Sequence, residues 1–284
     1  MRKAQIAVLA LVLAPTVTQA ADVPDFTASA TPYFRYSFDS DLNDDNAFSV
    51  LRSGASLSLR KNVSQTLSFG LAGVFEYSNY DSDVDFPDDF IFVDFRPSVA
   101  SYLSERFGIY GGAILGFGGE PDAEVADSLT YGGFVGFNYK ISDGVWIGTG
   151  VGVTTQLEDD LLFVPLITLD WAINERLSLT ADGLSARLAY DVDDQWTVFL
   201  DGRYEFRQFR LSDTAIVPEG VLSDESVPVS VGVTYSPSDN ISMSLAGGAV
   251  VWRQVRFFDD DENELNKDTA DITPYVAVSV KIAW

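Results

Sequence analysis

Apolar and polar residues alternate with a period of two along most of this chain, the spacing of a strand whose two faces meet different surroundings. In the last segment Ile272, Pro274, Val276, Val278, Val280, Ile282 and Trp284 share one face, while Thr273, Tyr275, Ala277, Ser279, Lys281 and Ala283 share the other. That is thirteen residues, about twice the length of a usual globular strand. Three further stretches repeat the pattern. Ala28, Ala30, Phe34, Tyr36 and Phe38 oppose Thr27, Ser29, Thr31, Tyr33, Arg35 and Ser37. Leu67, Phe69, Leu71, Phe75 and Tyr77 oppose Ser68, Gly70, Ala72, Glu76 and Ser78. Between 195 and 207, Trp196, Val198, Leu200, Gly202, Tyr204 and Phe206 oppose Thr197, Asp201, Arg203, Glu205 and Arg207. Charges of both signs on one strand face cannot point into hydrocarbon, where each basic one costs ~2–4 kcal/mol at the midplane. They must line an interior.

The turns fall into two populations. Short polar ones sit at 61–65, 104–106, 142–144, 174–176, 191–194 and 236–240, and their Ser, Asn, Asp and Gly residues suit tight turns. Acidic, mostly longer segments lie between them at 39–46, 81–89, 119–127, 158–160, 212–226 and 259–271. Short turns on one side and long loops on the other are the signature of a membrane barrel. The chain is therefore expected to be all-β, a transmembrane antiparallel up-and-down β-barrel of about 14 strands. Twelve strands is the alternative, because 177–182 and 184–191, joined at Asp182-Gly183, are shorter than the ~9–11 residues of a full crossing. Pro32, Pro97, Pro165, Pro228 and Pro274 fall within strands and mark expected bulges or rims.

The first twenty residues are read differently. Arg2 and Lys3, the apolar run from Ile6 to Leu13 and the small residues of Thr18-Gln19-Ala20 form a secretory signal, with cleavage after Ala20 or Ala21. Residues 21–284 are then one barrel domain. Composition supports this division. Cysteine is absent, so neither disulfides nor a lipidated N-terminal Cys enter. No apolar run after the signal is long enough for a membrane-spanning helix. The formal charge of −24 leaves nothing basic to neutralise phosphate, which excludes nucleic acid as a partner.

Strand parity assigns Arg35, Arg52, Arg60, Arg96, Arg187, Arg203, Arg207, Arg256 and Lys281 to the lumen, with Glu76, Asp94, Asp170, Asp201 and Glu205. Two readings of these charges stand. They form a selectivity filter in a pore for anionic or polar solutes, or ion-paired ladders that fill a narrow lumen. In the first, replacing Arg203 and Arg207 by Glu should move ion preference towards cations. The chain has no histidine, so the usual general base for serine or water is missing; neither catalytic residues nor a cofactor is expected. The glycine-rich runs around Gly112, Gly136 and Gly150 lack the strand–loop–helix setting of a phosphate loop and read as packing, or as room in the lumen. The acidic stretches 39–45 and 259–264 lack the glycine and closing glutamate of an EF-hand, so no metal site is assigned.

The C-terminus resembles the assembly signal of Gram-negative outer-membrane proteins: a terminal aromatic, Trp284, preceded at alternate positions by Ile282, Val280, Val278 and Val276. The resemblance to porin-like barrels of an uncharacterised family extends by architecture over residues 22–284. It implies an outer-membrane location, contact with membrane lipid and lipopolysaccharide, and recognition by the barrel assembly machinery. Oligomeric state stays open. A channel for small polar or anionic solutes and a non-conducting surface or structural barrel are the two functional expectations.

Overall fold

The computed structural model describes residues 26–42, 46–82, 86–157, 161–261 and 263–284. The expected signal peptide and the acidic segment 158–160 lie outside the described residues, as do parts of the acidic segments at 39–46 and 81–89. Strands β1 (Phe26–Leu42), β2 (Asn46–Asn62), β3 (Leu67–Ser82), β4 (Asp89–Tyr102) and β5 (Phe107–Gly119) are followed by β6 (Leu129–Ser142), β7 (Val145–Thr154) and β8 (Leu162–Ala172). Two short strands come next, β9 (Leu177–Asp182) and β10 (Ser185–Asp191). The remaining strands are β11 (Trp196–Arg203, continuing as Glu205–Arg210), β12 (Val221–Ser238), β13 (Ile241–Phe258) and β14 (Glu264–Ala270, continuing as Thr273–Ala283). Each pairs antiparallel with its sequence neighbours. β1 closes on β14 with Tyr33 opposite Ser279, and Ala28 and Trp284 exchange backbone bonds of 2.9 and 3.0 Å. The result is a closed 14-stranded up-and-down barrel. The short β9–β10 pair is two strands, so the twelve-strand alternative falls.

Why the chain turns where it does is visible at four short turns of one design. Ser64, Ser104, Asn174 and Asp193 each use a side-chain oxygen to accept the backbone N–H groups two and three residues on, at 2.8–3.3 Å. These bonds satisfy amides that the hairpin leaves outside its ladder. Two other turns need glycine itself: Gly144 (φ 82°) and Gly183 (φ 60°) adopt the left-handed backbone that a Cβ disfavours.

The outward face carries the large exposed hydrophobics, among them Phe34, Leu57, Phe75, Leu115, Val135, Val231 and Leu245. In a soluble protein this band would be an aggregation surface; around a barrel it is the lipid contact. Tyr139, Trp171, Tyr190, Trp196 and Trp284 are exposed near the short-turn rim, where a girdle of amphipathic rings meets headgroups. Val276, Val278, Ile282 and Trp284 all lie on the exposed face. Val135 sits mid-strand on β6, so Val135→Arg should lower stability by roughly 2–4 kcal/mol. Urea unfolding in liposomes checks this, and an unchanged midpoint would mean the face does not meet hydrocarbon.

Two predicted loops are partly strand. Residues 221–226 belong to β12 and 264–270 to β14. The alternation of 221–226 is hidden because both of its faces are covered, and that of 264–270 because nearly all of it is exposed, so polar and apolar residues do not sort by side. Of the five prolines, Pro228 sits at a bulge, where β12 and β13 shift register between Val227–Trp252 and Pro228–Val250. Residues 31–32 and 96–97 drop out of one neighbouring ladder each, as a missing N–H requires.

The departure from a plain cylinder is in β11. Its first part pairs with β10 as far as Arg203–Ser185, and Tyr204 N–H still reaches the Leu184 carbonyl at 3.0 Å. Beyond that point β10 has ended. Glu205–Arg210 keeps β12 on one edge and meets the loop end of β5 on the other, through a parallel contact of Arg210 with Gly119. The loop half of the barrel is thereby closed through β1–β5 and β11–β14, bypassing β6–β10. Gly118 permits the crossing, since any Cβ there would collide with the Gln208 carbonyl oxygen. Gln208 in turn accepts the Leu157 N–H at 3.1 Å, and Arg210 donates to the Asp127 and Glu219 carbonyls. Tyr204 and Phe206, whose parity assigned them to lipid, are interior as a result. Phe206 packs with Tyr110, Phe134, Leu162 and Leu166 inside β5–β8.

Candidate functional site

The inserted run Glu205–Arg210 carries alternate charges into the middle of the lumen, and strand parity on the surrounding wall supplies their partners. Glu205 is the hub. It accepts both terminal nitrogens of Arg35 (2.6 and 2.5 Å), Arg52 Nη1 (2.9 Å), Arg203 Nε (2.6 Å) and Arg207 Nη1 (3.0 Å). Arg207 also holds Glu76 at 2.6 and 3.1 Å, and the Tyr33 hydroxyl donates to the same carboxylate at 2.7 Å. Arg52 bridges onward to Asp224, which accepts two bonds from Arg253 (3.0 and 2.8 Å) and one from the Tyr80 hydroxyl (2.6 Å). Five guanidinium groups thus meet three carboxylates. Arg52, Glu76 and Asp224 are almost wholly buried, whereas the Arg203 side chain is 41% exposed.

On the loop side of this network Phe48, Val50, Tyr80, Phe90, Phe209, Leu222 and Val255 form a packed apolar layer, with the Phe90 and Phe209 rings stacked at 4.5 Å. On the short-turn side lies a cavity of about 330 Å³. Arg35, Arg187, Arg203 and Arg207 reach its wall together with Asp201, Tyr33, Phe92, Phe199, Phe206 and Tyr275. Below them Thr31 opposite Ser56 and Ser279 opposite Ser244 are two register pairs on four adjacent strands, and their hydroxyls also line the cavity. The Arg187 guanidinium stacks 3.6 Å from the Phe199 ring centroid and donates to Thr234 at 3.4 Å. Asp201 accepts the Ser230 hydroxyl at 2.6 Å.

Among the lumen candidates, Arg35, Arg52, Arg203, Glu205, Arg207 and Glu76 come together in the network. Arg96 and Asp94 form a separate buried pair at 2.6 Å. Arg187 and Asp201 are register neighbours on the cavity wall. Lys281 is exposed two residues before Ala283, the end of β14 at the short-turn rim. Arg256 departs from its assignment. The bulge beside Pro228 exchanges the faces of β13, so that Arg253 enters the network while Arg256 lies on the opposite face, paired with Glu225. Arg253, Asp224 and Glu225 escaped sequence parity for that reason, and because 212–226 reads as loop. A bulge-forming proline opposite two arginines three apart was the available signal. Arg207, holding two carboxylates at once, is a structural member of the network; the charge test belongs at Arg203. The glycines serve as space: a Cβ at Gly112 or Gly136 would strike the ring of Phe134 or Tyr110. In the 259–264 loop, Asp259 accepts the Asp261 and Asn263 N–H groups at 3.0 and 2.8 Å, spending its carboxylate on the turn.

A family model described as "Domain of unknown function (DUF6268)" matches residues 113–284, more than half of the chain, beginning within β5. No curated protein matches. Among solved structures, a FadL homologue of Pseudomonas aeruginosa is 12% identical, with 92% of this chain and 90% of that chain aligned and a TM-score of 0.52. The COG4313 outer membrane channel from Pseudomonas putida F1 is 7% identical, with 96% and 100% of the two chains covered and a TM-score of 0.48. The first likeness shows a shared fold, that of the outer-membrane β-barrels.

Proposed function

The chain belongs to the DUF6268 family, and on that footing we propose that it is an outer-membrane channel for small polar or anionic solutes, held closed by the inserted part of β11. The arginine excess of the lumen network carries this reading. Five guanidiniums against three carboxylates leave positive charge within the lumen, and a low-dielectric wall focuses such a field on passing anions. A fourteen-stranded cylinder is wide enough to conduct once Glu205–Arg210 moves aside, because it lies between filled eight-stranded and open sixteen-stranded barrels. The outward band of apolar residues and the rim of aromatic rings support residence in the outer membrane. The exposed stripe ending in Trp284 is what the barrel assembly machinery would read. With no histidine in the chain, and Glu76, Glu205 and Asp224 each held by arginines, the network is not proposed as a catalytic site.

A non-conducting structural or surface barrel is the second reading. The burial of Arg52, Glu76 and Asp224 favours it, since a fully paired network stiffens a lumen as well as closing it. Planar-bilayer recording of the refolded protein separates the two. Stepwise current with a reversal potential on the anion side supports the channel, and silence over the usable voltage range supports the rival. Arg203→Glu should then lower the anion-to-cation permeability ratio by at least about five-fold, given about 1 kcal/mol for a unit charge ~4 Å from a hydrated ion. An unmoved reversal potential would remove Arg203 from any role in selectivity.

A further inference from the structure

We infer that the cavity beneath the network is a binding site for a small organic anion with one carboxylate and a flat apolar body, anchored by Arg203. The inference deepens the channel reading by naming the class of solute, and it rests on that reading for its physiological purpose.

Three observations converge on it. First, Arg203 is the most exposed of the five network arginines and lines the cavity. Its Nε holds Glu205 at 2.6 Å, yet its side chain is 41% exposed while Glu205 is 8% exposed. The rest of its planar fork can donate to a ligand carboxylate without breaking the pair, and two parallel bonds to one carboxylate are the geometry a guanidinium favours. Arg187 stands on the adjoining strand, with Ser185 and Arg187 in register with Arg203 and Asp201. It brings a second positive charge whose own ring partner, Phe199, already shields one face.

Second, the remaining wall is not what a simple inorganic anion would use. Phe92 and Phe206 line the same space. A desolvated chloride or acetate gains nothing from these rings, whereas a flat apolar body buries its faces there. The volume of about 330 Å³ falls at the small end of ligand cavities, too large for acetate alone and suited to a single ring with its carboxylate.

Third, the charges around the space select one negative charge rather than several. Arg35, Arg96, Arg187, Arg203 and Arg207 face it against Glu76, Asp94, Asp201 and Glu205, an excess of one. Asp201 is engaged by Ser230, and Glu76 and Glu205 by arginines, so the carboxylates are compensated locally. A dianion would exceed the single positive charge left over. The hydroxyls of Thr31, Ser56, Ser244 and Ser279 at the far end suit a polar substituent or the waters of an entering solute.

Isothermal titration of the refolded, detergent-solubilised full chain tests the site without reference to current. Benzoate is the probe, with acetate, phthalate and toluene as comparisons. Saturable one-to-one binding of benzoate is expected, at least tenfold tighter than that of each comparison. Arg203→Gln should weaken benzoate at least tenfold and leave toluene unchanged, with Arg203→Lys recovering part of the loss. Retention of heat-modifiable gel mobility shows that each variant is folded, and should Arg203→Gln fail to fold, Phe199→Leu with the same loss of benzoate preference takes its place. The inference is overturned by absence of saturable benzoate binding, by acetate, phthalate or toluene binding as tightly, or by wild-type affinity in Arg203→Gln. An anion-selective current without benzoate binding defeats this inference and leaves the channel standing. Benzoate binding by a barrel silent in bilayers does the reverse.

Discussion

Glu205→Gln should produce the largest loss of stability of any single lumen substitution, about 3–5 kcal/mol by the usual cost of breaking a buried ion pair. Four guanidiniums converge on this carboxylate, from β1, β2 and both parts of β11. Neutralising it leaves five arginines facing two carboxylates, and two of the five, Arg52 and Arg253, are almost wholly buried. Glutamine can still accept a bond, but its carbonyl carries no net charge and its amide nitrogen turns donors against donors. Urea unfolding in detergent micelles measures the loss. Glu225→Gln, which removes a partner of Arg256 on the opposite face, should cost less because Arg256 also lies within 3.9 Å of Glu264. Equal losses at the two positions would show that Glu205 is no hub.

The second large effect concerns current. Gly118→Val places side-chain atoms where the Gln208 carbonyl now rests, and the backbone of the inserted run must retreat. Overpacking of this kind costs about 1–3 kcal/mol. The strain is relieved most directly by releasing the contact between Arg210 and Gly119, which returns the loop half of the barrel to its full circumference. Unitary conductance should rise on the order of several-fold, as a lumen nearer the full fourteen-strand width implies. Gly247→Ala is the control, because a Cβ there meets nothing within 4 Å. A Gly118→Val barrel with unaltered conductance would mean that the inserted run does not gate the lumen.

Particular residues show how far the sequence could be read. Alternation alone assigns Arg35, Glu76 and Arg203 inward, and all three line the cavity inside the barrel. Asp182-Gly183 was legible as a turn, and the short strands beside it as a pair. Tyr204 and Phe206 were misassigned to lipid by the same rule, because alternation says which side a residue faces but not whether the strand is still in the wall. Arg253 was missed through one bulge, which inverts parity for every residue beyond it. Asp224 was missed because a strand covered on both faces shows no alternation. Both omissions fall within the loop half, where β11 leaves its neighbour.

What the sequence settles by itself is local in origin. A side chain every second residue seeks hydrocarbon, small polar residues supply turn acceptors at Ser64, Ser104, Asn174 and Asp193, and these short-range preferences are enough to specify a barrel and the faces of most of its strands. The convergence of Arg35, Arg52, Glu76 and Asp224 on Glu205 was decided only in three dimensions. It depends on β10 ending early, on an edge at β5 that lacks a Cβ at Gly118, and on a bulge that turns Arg253 inward. The short strands beside Asp182-Gly183 are legible along the chain, but the meeting of β11 with β5, β1 and β2 joins residues far apart in sequence, which no periodicity records.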